Sequence, residues 1–197
     1  MSSRSSTSDS PFVLAHEAAC TAVIAAVAAL PPGPAIVLLD GRSGSGKSTM
    51  AARLVAEWPR PGERPQLVAL DSLYPGWRGL AEGTRLVREW VLEPHRSGRP
   101  GRWRRFDWIE ARFAEAHDVD PARPLVVEGA GALTPASSAL ADVTVWVDAP
   151  EPSRRGRALA RDGEAYEPHW DVWAGQEARH IARNDPRGLA QLAFELP

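Results

Sequence analysis

The run Gly41-Arg42-Ser43-Gly44-Ser45-Gly46-Lys47-Ser48 has the residue types and spacing of a phosphate-binding loop. Its glycines let successive backbone N–H groups turn inward onto phosphate oxygens, and a helix opening near Lys47 aims its positive end at the same anion. Lys47 is the one lysine among 23 basic residues, all the others being arginine. It stands where a slim ammonium, not a planar guanidinium fork, reaches the β- and γ-phosphates of a nucleotide. Ser48 offers a hydroxyl suited to Mg²⁺. The expected nucleotide-binding set is therefore Gly41, Ser43, Gly44, Ser45, Gly46, Lys47, Ser48 and Thr49, with ATP and Mg²⁺ as cofactors. The competing reading is a glycine-rich turn that merely precedes a helix.

The motif needs an apolar strand before it and a helix after it. Residues 35–39 predict that strand, and residues 47–58 a helix with Met50, Leu54 and Val55 facing inward. Further apolar runs at 67–70, 125–127 and 143–147 read as strands, with another at 192–196. Their alternation with helical stretches is the pattern of a sheet covered on both faces. The expected fold is α/β, a three-layer P-loop NTPase with a mainly parallel five-stranded sheet flanked by helices. Residues 12–197 read as a single domain behind a Ser-rich tail, 1–11, expected to be disordered. Residues 72–124 carry Trp77, Trp90, Trp103 and Trp108 and read as an insertion that holds an acceptor. Within it, 110–117 predicts a helix, while 96–105 is basic and glycine-broken. Residues 171–183 predict a helix bearing Trp173, Glu177 and His180, with Trp170 and Trp173 as packing residues.

Composition closes off other chemistry. A net charge of -2 and a pI near 6.2 leave no electrostatic footprint for nucleic acid. The single cysteine, Cys20, excludes an intrachain disulfide and suits a reducing cytoplasm. Five scattered histidines show no zinc spacing, and the His16-Glu17 start of a zincin motif fails at Cys20. Residues 12–30 form the single apolar stretch that invites a membrane or export reading. His16, Glu17 and Thr21 interrupt it, so the expectation is a surface helix packed by Val13, Ala19, Val23, Val27 and Leu30.

With one lysine, the chain cannot contain the Asn-Lys-x-Asp of a guanine-reading G protein. It is short for a motor ATPase, and a dinucleotide fingerprint fails because its third glycine would fall on Thr49. What remains is a small-molecule kinase. Four further elements then carry a family likeness. Asp71-Ser72-Leu73-Tyr74 follows the second strand, Phe106-Asp107-Trp108 lies in the insertion, Leu125-Val126-Val127-Glu128-Gly129 ends a strand, and Arg154, Arg157, Arg161 and Asp162 lie in 151–165. In that order, with the P-loop, they resemble the uridine kinase-like group, which includes phosphoribulokinase and pantothenate kinase relatives.

The resemblance implies roles. Asp71 would orient an acceptor hydroxyl and take its proton, the alternative being a cap or turn residue. Tyr74, Phe106 and Asp107 would contact the acceptor; Tyr74 could equally be a core tyrosine, and Asp107 a partner for the arginines at 102, 104 and 105. Glu128 would sit beside Mg²⁺ or simply end its strand. Arg154, Arg157 and Arg161 share a helical face and would close on ATP as a lid, Arg154 on the nucleotide and Arg157 and Arg161 with Lys47 on the transferring phosphoryl group. The alternative is a solvated face. The likeness is incomplete on the acceptor side: no Phe-Asp-His-Pro element follows Tyr74, Phe106 replaces a tyrosine, and Ala158 an arginine. The expectation is therefore an ATP- and Mg²⁺-dependent kinase for a small-molecule hydroxyl, a nucleoside being one candidate. Kinases for other acceptors, and a regulatory module that binds ATP with little or no hydrolysis, stay open.

Overall fold

The computed structural model describes residues 10–197. The expected tail lies almost wholly outside these residues, and Pro11, placed in that tail by sequence, already opens helix α1 (Pro11–Ala28). Strand β1 (Ile36–Gly41) runs into the glycine loop, and α2 (Lys47–Ala56) leaves it. β2 (Gln66–Ala69) ends in a tight helical turn, Leu70–Ser72. α3 (Leu80–Val87) continues through a wider turn into α4 (Glu93–Arg96). An antiparallel pair, β3 (Gly101–Asp107) and β4 (Arg112–Val119), comes next. After β5 (Leu125–Glu128) come α5 (Pro135–Ser138), β6 (Val143–Asp148), α6 (Glu151–Asp162), α7 (Trp170–Asn184), α8 (Pro186–Leu189) and β7 (Leu192–Glu195).

The main sheet is all-parallel, in the order β2-β5-β1-β6-β7, so the phosphate loop springs from its central strand. Side-chain alternation along β1 builds two cores. Ile36 and Leu38 join Leu125, Val127, Leu73 and Trp173 on one face, while Val37 and Leu39 join Val145, Leu54, Val23 and Val27 on the other. α1 is apolar and long enough to cross a membrane, yet it packs onto the second core through Ala19, Cys20, Val23 and Val27. Val13 and Leu30 of the expected stripe are only partly buried, and His16 and Cys20 take the inward positions instead.

The helix expected over 110–117 is a strand. Trp103, Phe106 and Val119 are buried, the three-residue step from Trp103 to Phe106 spanning an irregularity in the ladder, and Phe106 meets Phe113 edge to face at 5.5 Å. Asp107 accepts the backbone N–H groups of Ile109 and Glu110 and so shapes the turn, while Arg105 bridges to Glu115 across the pair. The alanines at 111, 114 and 116 mimic helix composition, but cross-strand pairing overrides it. The basic stretch 96–105 resolves into the end of α4, a turn and most of β3.

Candidate active site

The phosphate loop is gripped from both sides. Gly44 has φ 77°, and a Cβ there would lie 2.1 Å from the backbone oxygen of Arg154. Gly46 has φ 102°, and His16 of α1 lies against it with Nε2 3.0 Å from the Gly46 carbonyl oxygen. On α6, Arg157 Nε donates to the Gly44 carbonyl at 2.8 Å, and its guanidinium lies 4.0 Å from the centre of the Phe12 ring. Burial, with help from Arg154, lowers the Arg157 pKa. Lys47 is buried at the start of α2, its Nζ 3.5 Å from the Arg42 carbonyl. Ser48 Oγ donates to Glu128 Oε2 at 3.0 Å, which unites the two expected Mg²⁺ ligands. Burial pushes the Glu128 carboxyl up, against the pull of nearby Lys47.

Two cavities open on either side of this loop. One, about 540 Å³, includes Asp71, Glu128, Tyr74, Trp77, Trp108 and Tyr166 in its lining. The other, about 440 Å³, includes Phe12, His16, Thr49, Arg53 and Arg157. Lys47, Ser48 and Arg161 line both. The first thus holds Asp71, Glu128 and most of the aromatic wall, and the second the loop glycines and α1. Their shared rim carries two cations and a hydroxyl, the groups suited to a phosphoryl group passing between them.

Asp71, Tyr74, Glu128 and Arg161, named from sequence, line one cavity together with Ser43, Lys47 and Ser48. Tyr74 is fully buried, with its hydroxyl donating to the Ala130 carbonyl at 2.7 Å, so it meets the cavity as a core tyrosine. Three expectations need correction. Arg154 is 2 % exposed and lines neither cavity; its guanidinium donates to the carbonyls of Ala149 and Ser43 and pairs with Asp148 at 3.2 Å. It fastens α6 to the loop and is not free to grip a nucleotide. Phe106 lies beneath the wall, edge-on to Trp108, and Asp107 belongs to the hairpin turn and Arg105. The cavity residue of that tripeptide is Trp108, whose Nε1 donates to the Asp71 carbonyl at 3.0 Å.

Several residues escaped the sequence reading. Asp40, wholly buried at the end of β1, accepts the N–H groups of Gly41, Gly131 and Leu133 and contacts His180 Nε2 at 2.9 Å. Its signal was a charge closing an otherwise apolar strand. Glu177, on α7, accepts the Ser43 N–H at 2.7 Å and the Trp173 indole N–H at 3.0 Å, and burial raises its pKa. Its i, i+4 and i+7 relation to Trp173 and His180 marked one inward face. Trp77 stacks on His169 at 4.3 Å and on Tyr166 at 5.4 Å, which gives His169 a packing partner that sequence did not reveal.

No protein-family model matches the sequence, and no curated protein matches it either. Solved structures do match in shape. A possible uridine kinase from Bacillus stearothermophilus superposes with a TM-score of 0.65 at 14 % identity, covering 90 % of this chain and 98 % of that one. The chain has the fold of a uridine kinase-like P-loop protein. A candidate fructose transport system kinase from Silicibacter sp. TM1040 superposes with a TM-score of 0.55 at 21 % identity, over 91 % of this chain and 98 % of the other. Both are similar to this chain over nearly their whole length, and the likeness is one of fold.

Proposed function

We propose that the chain is an ATP-dependent kinase that phosphorylates a hydroxyl of a small molecule in the cytoplasm. The observation that carries this reading is the pair of cavities meeting at Lys47, Ser48 and Arg161, with Asp71 in one of them and the glycines of the loop lining the other. ATP lies with its phosphates on the loop, and the acceptor enters among the aromatic residues. Asp71 takes the proton of the acceptor hydroxyl while that oxygen bonds to the γ-phosphorus. The bond from the γ-phosphorus to the bridging oxygen breaks, and its electron pair stays on the departing ADP. Lys47 and Arg161 hold the charge that builds on the transferring group.

The donor set at Ser48 and Glu128 is all oxygen, which fits Mg²⁺, a hard cation that keeps waters and takes phosphate oxygens for its remaining positions. When bound, the ion would neutralise phosphate charge. Among the described residues no cation beyond Lys47 and Arg161 lines the acceptor cavity, whose wall is made by Trp77, Trp108, Trp173 and Tyr166. That wall favours an uncharged acceptor with a flat or apolar body over a sugar acid or a nucleotide, and a nucleoside has this chemistry.

The test is ADP release from Mg-ATP across a panel of nucleosides, sugars, vitamin precursors and nucleotides. An acceptor should accelerate release in the wild type and not in Lys47→Ala. Asp71→Asn should lower that acceptor-dependent rate on the order of 100- to 10,000-fold while ATP affinity stays nearly unchanged. Full activity in Asp71→Asn would sink the base assignment. Tight ATP binding with no acceleration by any acceptor would favour a regulatory ATP-binding module.

A further inference from the structure

A third cavity, about 540 Å³, lies between α3 and α7 and shares no lining residue with the two at the phosphate loop. Five arginines line it, Arg78, Arg85, Arg88, Arg179 and Arg183, and among the described residues no carboxylate does. Arg85 is neutralised by Glu82 and Glu89, and Arg88 by Glu89 and Glu93, along their own helical run. Arg78, Arg179 and Arg183 are exposed and have no ion-pair partner among the described residues. Elsewhere most arginines are balanced in place, as Arg53 is by Glu57, Arg96 by Asp142, Arg105 by Glu115 and Arg187 by Glu195, and the exposed ones that are not, such as Arg64, Arg99, Arg104 and Arg123, do not line this cleft. Arg179 and Arg183 also stand four residues apart on α7, a spacing at which like charges destabilise a helix. An acidic chain that gathers uncompensated guanidinium groups around one cleft has built a receptor for negative charge.

We infer that the α3–α7 cleft binds a small phosphorylated anion at a site separate from the phosphate loop. Planar guanidinium forks match phosphate oxygens two at a time, and Asn184 and Thr134 add polar groups to the lining. The volume suits a ligand between a phosphorylated metabolite and a nucleotide in size. The chain's net charge of -2 argues against a long polyanion such as RNA, which needs a wider basic surface.

The cleft also has a route to the loop. His180 is part of its lining, and its Nδ1 accepts the Asn184 side-chain N–H at 3.0 Å, so that Nε2 donates to Asp40. Asp40 in turn holds the Gly41 N–H, and one turn before His180 on α7 Glu177 holds the Ser43 N–H. Ordering α7 from its outer face therefore bears on two backbone groups of the phosphate loop, so the ligand regulates what the loop binds, and the effect is reciprocal.

The test is calorimetric titration of inorganic tripolyphosphate into Lys47→Ala, in which the phosphate loop is disabled. Binding should persist there and weaken at least tenfold when Arg179→Ala and Arg183→Ala are added. A control pair with the same charge change, Arg99→Ala and Arg102→Ala, should leave the affinity unchanged. Equal losses from the two pairs would mean diffuse charge attraction and would overturn the site, as would no loss from the α7 pair or no binding in Lys47→Ala. A nucleoside 5′-monophosphate run in parallel distinguishes the sources: tighter binding than tripolyphosphate assigns an organic phosphate, weaker binding an inorganic one, and either keeps the site. Amide exchange at Gly41 and Ser43 should slow on saturation in Lys47→Ala and stay unchanged in the variant that also lacks the α7 arginines. Unaltered exchange in both would overturn the coupling. None of these readouts depends on phosphoryl transfer, so failure of the kinase reading and failure of this one are separable.

Discussion

At the scale of single residues, the site is notable for carboxylates buried beside the phosphate loop. Glu177 is 3 % exposed, and burial raises its pKa above the ordinary value of 4.5 even though Lys47 pulls the other way. A carboxyl raised on folding binds its proton more tightly in the folded chain than in the unfolded one. Its contribution to stability is therefore greatest below 4.5 and is lost as pH rises through the folded value. Glu177→Gln removes that loss without removing structure, because both hydrogen bonds to Glu177 arrive at the same oxygen, Oε1, which glutamine keeps. Thermal melts from pH 4 to 8 should show the variant more stable than wild type at the alkaline end and nearly equal at the acid end. A gap that widened on acidification would mean the carboxylate, not the acid, is the favoured buried form. The protein thus keeps a carboxyl whose ionisation burial opposes, at the place where the loop's Ser43 amide is oriented. The sequence places Glu177 on an inward face with Trp173 and His180 but does not show that it holds the loop, whereas Lys47 and Ser48 announce themselves through spacing.

At the scale of elements, the lid is a docked helix. Arg154 reaches the carbonyl of Ser43, Arg157 reaches that of Gly44, and Gly44 lies tight against α6 while Gly156 of the same helix faces open space. Gly44→Ala places a methyl 2.1 Å from the Arg154 carbonyl at a φ of 77° and should destabilise by about 1–3 kcal/mol. Nucleotide affinity should fall with it, because the loop must leave α6 to make room. Gly156→Ala, mid-helix with nothing within 4 Å, should instead stabilise by about 0.5–1 kcal/mol. Chemical denaturation of both variants checks the pair; equal responses would show that the contact at Gly44 carries no weight. The contrast also marks what was legible. Strands buried on both faces, such as β1 and β6, were read within a residue or two because a continuous apolar run has few other uses. The β3–β4 hairpin was not, because β4 is mostly exposed and alanine-rich, and its strand character comes from its partner. For the same reason the role of Asp107 was misjudged and Trp108 overlooked: the turn decides which of the two faces the cavity.

At the scale of the whole molecule, three separate helices converge on one loop: α1 through His16, α6 through Arg154 and Arg157, and α7 through Glu177 and, by way of Asp40, His180. They come from opposite ends of the chain and from both faces of the sheet. A nucleotide that orders the loop must then also stabilise α7, which contributes no residue to the cavity on the glycine side of the loop. At a concentration 100 times its dissociation constant, Mg-ATP should raise stability by about 2.7 kcal/mol, or Tm by roughly 5–10 °C for a chain of this size. Protection from hydrogen exchange should spread from the loop into α1 and α7 together. His16→Ala cuts one of these ties: it removes the contact with the Gly46 carbonyl and leaves Val23 and Val27 packed as before. In that variant, nucleotide should still protect α7, but protection of α1 should be lost, and affinity should weaken by a few-fold, the worth of one modest hydrogen bond. Protection that stayed confined to the loop in the wild type would show that the converging contacts do not transmit order. Protection of α1 unchanged in His16→Ala would show that the helix is tied to the nucleotide through Phe12 and Arg157 instead, 4.0 Å apart on the same cavity wall.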